Sequence, residues 1–296
     1  MTPAKRRQHR HHLAADPGGQ RPTAAATATA TATGMGTGMG TATRALRAWQ
    51  RRRRRQQAAR LVLTVLGYLL TAAGLVVGLA LAYQLWGTNL TAARTQAMAI
   101  QQLQASWLRQ HQEHQDHQDR GIQPPTLPAP PLQGTPFAII ALPRLHTLGE
   151  PSLFPIVEGD GPAQLDRGAV GHEPGTAMPG QVGNVVLAGH RNSHGEPFRH
   201  LDQLQQGDRI LVATADRRHR RFISVYVLDK QLAQTTPSDI GVMAPIPTKL
   251  GVTRPGRYLT LITCTPQFST KYRMIWWGHL EETIWWPFAD ELPQDL

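Results

Sequence analysis

Leu61 to Trp86 form a run of 26 residues without a charged side chain, and only Thr64, Thr71 and Gln84 interrupt its apolar character. A helix rises about 1.5 Å per residue, so this run reaches roughly 39 Å, enough to cross a bilayer with tilt. A soluble helix of that length would carry a polar face, which this one lacks. Ala80-Leu81-Ala82 resembles a signal-peptidase site, but the run is about twice a usual signal h-region, so the pattern predicts a retained transmembrane helix. Past it, Thr88 to Gln118 is rich in Gln and Ala, and Ile100, Leu103 and Trp107 are spaced to share one helical face. That segment predicts a stalk helix whose stripe could meet a second copy or the membrane surface. Pro124, Pro125, Pro128, Pro130 and Pro131 then predict an extended spacer, at ~3.1 Å per residue, that holds the rest of the chain off the membrane.

From Phe137 onward the period changes. Phe137–Ile140, Asn184–Ala188, Arg209–Val212, Phe222–Val227, Arg257–Thr263 and Tyr272–Leu280 are short apolar or alternating runs separated by Gly, Pro and Asp, which reads as strands. Six or more strands in roughly 150 residues predict a β-barrel or sandwich. Phe198, Leu201 and Leu204 predict a short helix over Pro197–Gln205. Trp276 and Trp277 are adjacent in a strand, so one should face the core and the other outward.

Charge changes the picture by giving the chain a direction. Residues 1–60 hold 13 Lys or Arg against the single acid Asp16, a net +12, which leaves −1 for residues 61–296 from the total of +11. Arg51 to Arg55 and Arg60 directly precede the apolar run, and the positive-inside rule keeps that end cytoplasmic and sends the carboxy-terminal part outside. The pI near 10.7 is therefore a topology signal. A nucleic-acid partner is not expected, because the basic segment has neither a folded face nor base-stacking aromatics. The Thr-Ala alternation and Gly-Met-Gly-Thr repeat of the first 45 residues offer too few large apolar groups to offset chain entropy and predict disorder. His9, His11 and His12, and likewise His111, His114 and His117, sit among polar residues and predict solvated faces rather than a metal site.

Cys264 is the one cysteine in the 296 residues. It can form neither an internal disulfide nor a multi-thiolate zinc cage, which leaves core filler or a nucleophile. An unpaired thiol outside the cytoplasm favours the second reading. A thiol needs a partner that takes its proton, and His190, which follows the strand-like run Asn184–Ala188 through Gly189, is the candidate; His194, His200 and His172 lie in loop-like sequence and are rivals. A tetrahedral oxyanion needs a fixed donor. Arg273 can provide it if Cys264 ends one strand and Arg273 begins the next, with the intervening residues forming a loop.

Thr260-Leu261-Ile262-Thr263-Cys264, with His190 upstream and Arg273 shortly downstream, resembles the signature of the sortases. Gly171 to Gly180, Gly183 to Arg191 and Gly195-Glu196-Pro197-Phe198 extend the similarity, which covers about Ile139 to Leu280 and looks most like class E. The resemblance implies a mainly β fold, an eight-stranded sortase-type β-barrel with short helices, preceded by one transmembrane helix and a disordered N-terminal tail. The expected divisions are 1–60, a disordered basic cytoplasmic tail; 61–86, the transmembrane helix; 87–135, stalk and Pro-rich linker; 136–284, the catalytic barrel; and 285–296, a C-terminal tail. It also implies that Cys264 is the nucleophile, His190 the general acid/base and Arg273 the oxyanion and substrate donor. Thr263 would offer a hydroxyl to the substrate or pack within its strand.

The implied partners are surface proteins with carboxy-terminal sorting signals of the Leu-Ala-x-Thr-Gly or Leu-Pro-x-Thr-Gly type, an amine on a cell-wall peptide or pilin, and the membrane; no cofactor or metal is expected. Two other readings compete. Ser193-His194-Gly195 is faintly similar to the L,D-transpeptidase motif, but Glu196 stands where that family needs its cysteine. A non-catalytic membrane-tethered binding domain would keep the barrel without using the thiol.

Overall fold

A computed structural model describes residues 38–114, 130–216 and 220–286. The chain divides into two units, Met1–Leu70 and Thr71–Leu296. Helix α1 (Gly38–Ala82) runs through the arginine cluster and the apolar run, and is followed by one π-helical turn, Tyr83–Gly87. Leu63, Leu69 and Leu75 are each more than half exposed on it. It is the one helix among the described residues long and apolar enough to cross a membrane. The disorder expected for 1–60 falls, for residues 1–37, outside the described residues; from Gly38 the chain is helical, as the Arg, Gln and Ala of this stretch favour.

Eight strands close into a barrel: β1 (Pro136–Ala141), β2 (Leu153–Glu158), β3 (Val170–His172), β4 (Gly183–Ala188), β5 (Arg209–Ala215), β6 (Arg221–Thr235), β7 (Arg257–Thr265) and β8 (Tyr272–Trp285). Their order around the barrel is β1-β2-β3-β4-β7-β8-β6-β5, with β5 returning to β1. Closure leaves no free sheet edge. The pairs β2–β3 and β4–β7 are parallel and the others antiparallel. Alternate residues such as Ile140, Val185, Leu187, Tyr226, Leu259, Leu261 and Trp276 fill the interior. Short helices α3 (Pro143–Thr147) and α4 (Pro162–Leu165) cap loops. The helix expected over Pro197–Gln205 is a 3-10 turn, Leu201–Gln203, and Phe198, Leu201 and Leu204 are buried as the spacing required.

Trp276 points inward, its indole N–H donating to Leu201 O at 2.8 Å. Trp277 takes the opposite face but is also buried, under the 3-10 turn Ile240–Met243, and donates to Val242 O at 3.0 Å. The β6–β7 connection thus covers apolar surface that the strand pattern alone would leave to water.

Helix α2 (Thr88–His114) lies against the barrel. Leu103 and Trp107 pack with Ile139, Ala141, Leu211, Ala213, Ile223 and Val225, the outward face of β1, β5 and β6. Trp286 completes this layer, meeting Trp107 edge to face at 6.3 Å, with the Arg221 guanidinium 4.3 Å from the ring centre. Burying a large apolar side chain is worth about 1.5–3 kcal/mol, enough to hold the helix down. The stripe expected on a free stalk therefore meets neither a second copy nor lipid; the barrel covers it. Most of the proline spacer, residues 115–129, lies outside the described residues, as do Pro287 and Phe288.

Candidate active site

The rim that carries the candidate residues is set by two pairings. β7 and β8 form an antiparallel hairpin in which Cys264 and Arg273 are direct Cα partners. β4 runs parallel to β7, with Ala188 beside Ile262, and Gly189 extends the ladder by donating to Ile262 O at 3.1 Å. His190 is two residues past Ala188 and Cys264 two past Ile262, so His190 leaves β4 at the end of the sheet where Cys264 stands, next to last in β7. Gly189 is needed there because a Cβ would sit 2.7 Å from the Phe198 ring. Phe198 in turn donates its N–H to His190 O at 3.0 Å.

Cys264 is a free, half-buried thiol. The Arg273 guanidinium donates from Nη1 to Thr270 O at 2.9 Å and Tyr272 O at 3.1 Å, which fixes it against the hairpin loop. Thr263 is 2% exposed and donates its hydroxyl to Gly189 O at 2.8 Å. This bond ties β7 to the arm that bears His190. The next residue of that arm, Arg191, is buried and donates to Thr265 Oγ1 at 3.0 Å and pairs with Asp202 at 3.1 Å.

His190 meets a residue that sequence reasoning missed: its Nε2 lies 2.9 Å from Asp166 Oδ1. Asp166 ends α4, 24 positions upstream, and no periodicity or motif marks it. His194 stacks beside His190, ring centres 5.3 Å apart, with Nδ1 4.0 Å from the same carboxylate oxygen. The segment reaches this arrangement through a strained backbone: φ is +60° at Ser193, +52° at His194 and +46° at Glu196, each costing about 1–3 kcal/mol for a residue with a Cβ. Glu196 answers part of that cost by accepting from Ser193 N at 2.8 Å and Asn89 Nδ2 at 3.0 Å and pairing with Arg199. Burial pushes its carboxyl up, but these donors outweigh it and hold it below the usual carboxylate range.

The other histidines are elsewhere. His172 is fully buried with both ring nitrogens engaged, by Glu158 at 2.7 Å and by Ala177 O and Thr176 Oγ1 at 3.0 Å. His200 pairs with Glu150 at 3.2 Å. Asp166, His190 and His194 each offer one ligand atom within 4.8 Å of the others, donor types that suit zinc; as placed, Asp166 and His190 satisfy one another directly.

The model of the sortase domain matches residues 141–281. Sortase SrtE2 of Streptomyces coelicolor is 31% identical over 237 residues, 78% of this chain and 87% of that protein. The chain belongs to the sortase family. Sortase SrtE1 of the same organism is 39% identical over 239 residues, 79% of this chain, and this chain spans 61% of SrtE1's length. Both relatives point to class E. The SrtA sortase of Actinomyces oris superposes with a TM-score of 0.50 at 28% identity, covering 60% of this chain and 98% of that one. The matched residues run from the end of β1 into β8 and include the Cys264–Arg273 hairpin of this sortase.

Proposed function

We propose that this sortase is a membrane-anchored cysteine transpeptidase acting on carboxy-terminal sorting signals outside the cytoplasm. The observation that carries the reading is the register of the rim: Cys264 opposite Arg273 across β7–β8, with His190 leaving β4 at the same end. With its Nε2–H donated to Asp166, His190 keeps Nδ1 for proton exchange. Cys264 passes its proton to His190 and attacks the Thr carbonyl of a Leu-Ala-x-Thr-Gly or Leu-Pro-x-Thr-Gly signal, and Arg273 stabilises the oxygen that gains charge. The C–N bond to Gly breaks, His190 protonates the departing amine, and a thioester remains. An amine of a cell-wall peptide or pilin then attacks the thioester, its proton passing through His190 to the departing sulfur, which returns the thiol and forms a new amide. Thr263 acts through Gly189, as a strut for the histidine arm. The arginines that precede the span keep the amino-terminal end inside.

The test uses the full chain in lipid nanodiscs, given both peptides with an added amine and followed by mass spectrometry. The expected products are the peptide cut between Thr and Gly and its amine adduct. Cys264→Ala gives none, and His190→Ala slows turnover by about 100-fold or more. Absence of cleavage of both peptides by folded protein would favour the non-catalytic binding domain.

A further inference from the structure

The Asp166–His190 contact joins two loops that emerge at one end of the paired strands β3 and β4 and are not themselves part of that ladder. One runs from α4 to β3 through Gly168; the other leaves β4 and passes through Ser193 to Glu196. The second holds four successive residues at positive φ, +60°, +52°, +80° and +46° for Ser193, His194, Gly195 and Glu196. A run of this kind persists only where neighbours over-determine it. Those neighbours come from the opening turns of α2. Asn89 accepts from Gly195 N at 2.9 Å through Oδ1 and donates to Glu196 Oε1 at 3.0 Å through Nδ2. Gln96 donates to Gly168 O at 2.8 Å and to Gly195 O at 3.4 Å, so one side chain spans both loops. Between them Ala92 is 3% exposed, and a Cβ added at Gly168 or Gly195 would come within 2.9 Å or 2.8 Å of Ala92 Cβ. Backbone therefore approaches the helix as closely as it can, on both loops, at one alanine.

We propose that Asn89 and Gln96 are positioning residues for the sortase reaction: through them the segment that follows the apolar run clamps the two loops and holds Asp166 against His190. This rests on the role given to His190 above. The two polar side chains act on loop geometry. The apolar half of the same helix, Leu103 and Trp107, packs on β1, β5 and β6 and serves as anchor only. The clamp also gives the two glycines a reason that their turns alone do not, since each must admit the helix.

The separation of roles supplies the test, made on the full chain in nanodiscs. Asn89→Ala and Gln96→Ala are compared with Leu103→Ala, which loosens the anchor and leaves the clamp residues in place. Amide hydrogen exchange at residues 166–168 and 193–196 is measured together with the melting temperature, kcat and KM. The expected result is exchange about tenfold faster in both loops for Asn89→Ala and Gln96→Ala, with kcat about tenfold lower and KM little changed, since a misplaced acid/base group costs the chemical step more than binding. Leu103→Ala lowers the melting temperature at least as much and keeps kcat. Unchanged exchange in the two loops, or a kcat loss that tracks the melting temperature across all three variants, would overturn the proposal. Should the parent chain show no turnover, the exchange measurement still decides whether the clamp exists, and the failure belongs to the catalytic reading instead.

Discussion

Glu173 leaves the end of β3 beside Asp160, and burial, followed by the hydrogen bond and charge of Asp160, pushes its carboxyl from 4.5 up to about 7. The folded chain thus holds a proton there that the unfolded chain has released. Linkage gives the sign: the contribution is most favourable at or below about pH 4.5, declines as pH rises, and levels off above about 7. Glu173→Gln removes the titration. Its melting temperature relative to the parent is expected to rise steadily from pH 5 to pH 7 and then stay level, read by thermal unfolding at each pH; a difference independent of pH would clear Glu173 of the effect. Residues of the rim were legible to different degrees. Cys264, Arg273 and His190 each stand at or near an end of an apolar run, so the pattern puts them at strand ends; that these ends share one edge follows from the β4–β7 and β7–β8 pairings. Asp166 has no such marker, because it reaches His190 only through the closing of two loops. For the hydroxyl of Thr263 the sequence leaves two roles open, substrate or strand; in the structure it is buried and donates to Gly189 O, a contact between loop and strand that no local pattern marks.

Elements were readable where their burial followed their own period. β1 and β4 to β8 appear in the sequence as apolar or alternating runs. β2 does not, since Pro155 argues against a paired strand; it fits because β3 flanks only Ile156 to Glu158, leaving Pro155 paired with β1 alone. β3 has three residues, fewer than any periodicity needs. The stripe of α2 was visible, but what covers it was not, because the receiving face belongs to three strands far along the chain. Trp107 is the centre of that layer. Trp107→Ala is expected to cost about 3–5 kcal/mol, measured by denaturant unfolding of the full chain. With Trp286→Ala in a double-mutant cycle the edge-to-face pair is expected to show a coupling of about 0.5–1.5 kcal/mol. Additive losses would mean that the two rings are stabilised separately by the barrel.

For the molecule as a whole, the charge division of the sequence and the exposed apolar surface of α1 point to the same arrangement. All the excess positive charge precedes the span, and the barrel follows it. The single thiol makes the orientation measurable without any engineered label. A membrane-impermeant maleimide applied to intact cells is expected to modify Cys264 of the full chain, with Cys264→Ala as the blank. Labelling that appears only after the membrane is opened would place the barrel on the cytoplasmic side and remove the basis for an extracytoplasmic substrate.

The parallel seam between β4 and β7 sets the order in which the rim can form. The thiol and the imidazole lie 74 positions apart, and the strand that carries the thiol can take its place only after every other strand except β8 has been made. Until β7 pairs with β4 and β8, nothing in the fold sets Cys264 beside the arm that bears His190 or opposite Arg273. In the order of synthesis, the rim is therefore the last part of the barrel to be assembled.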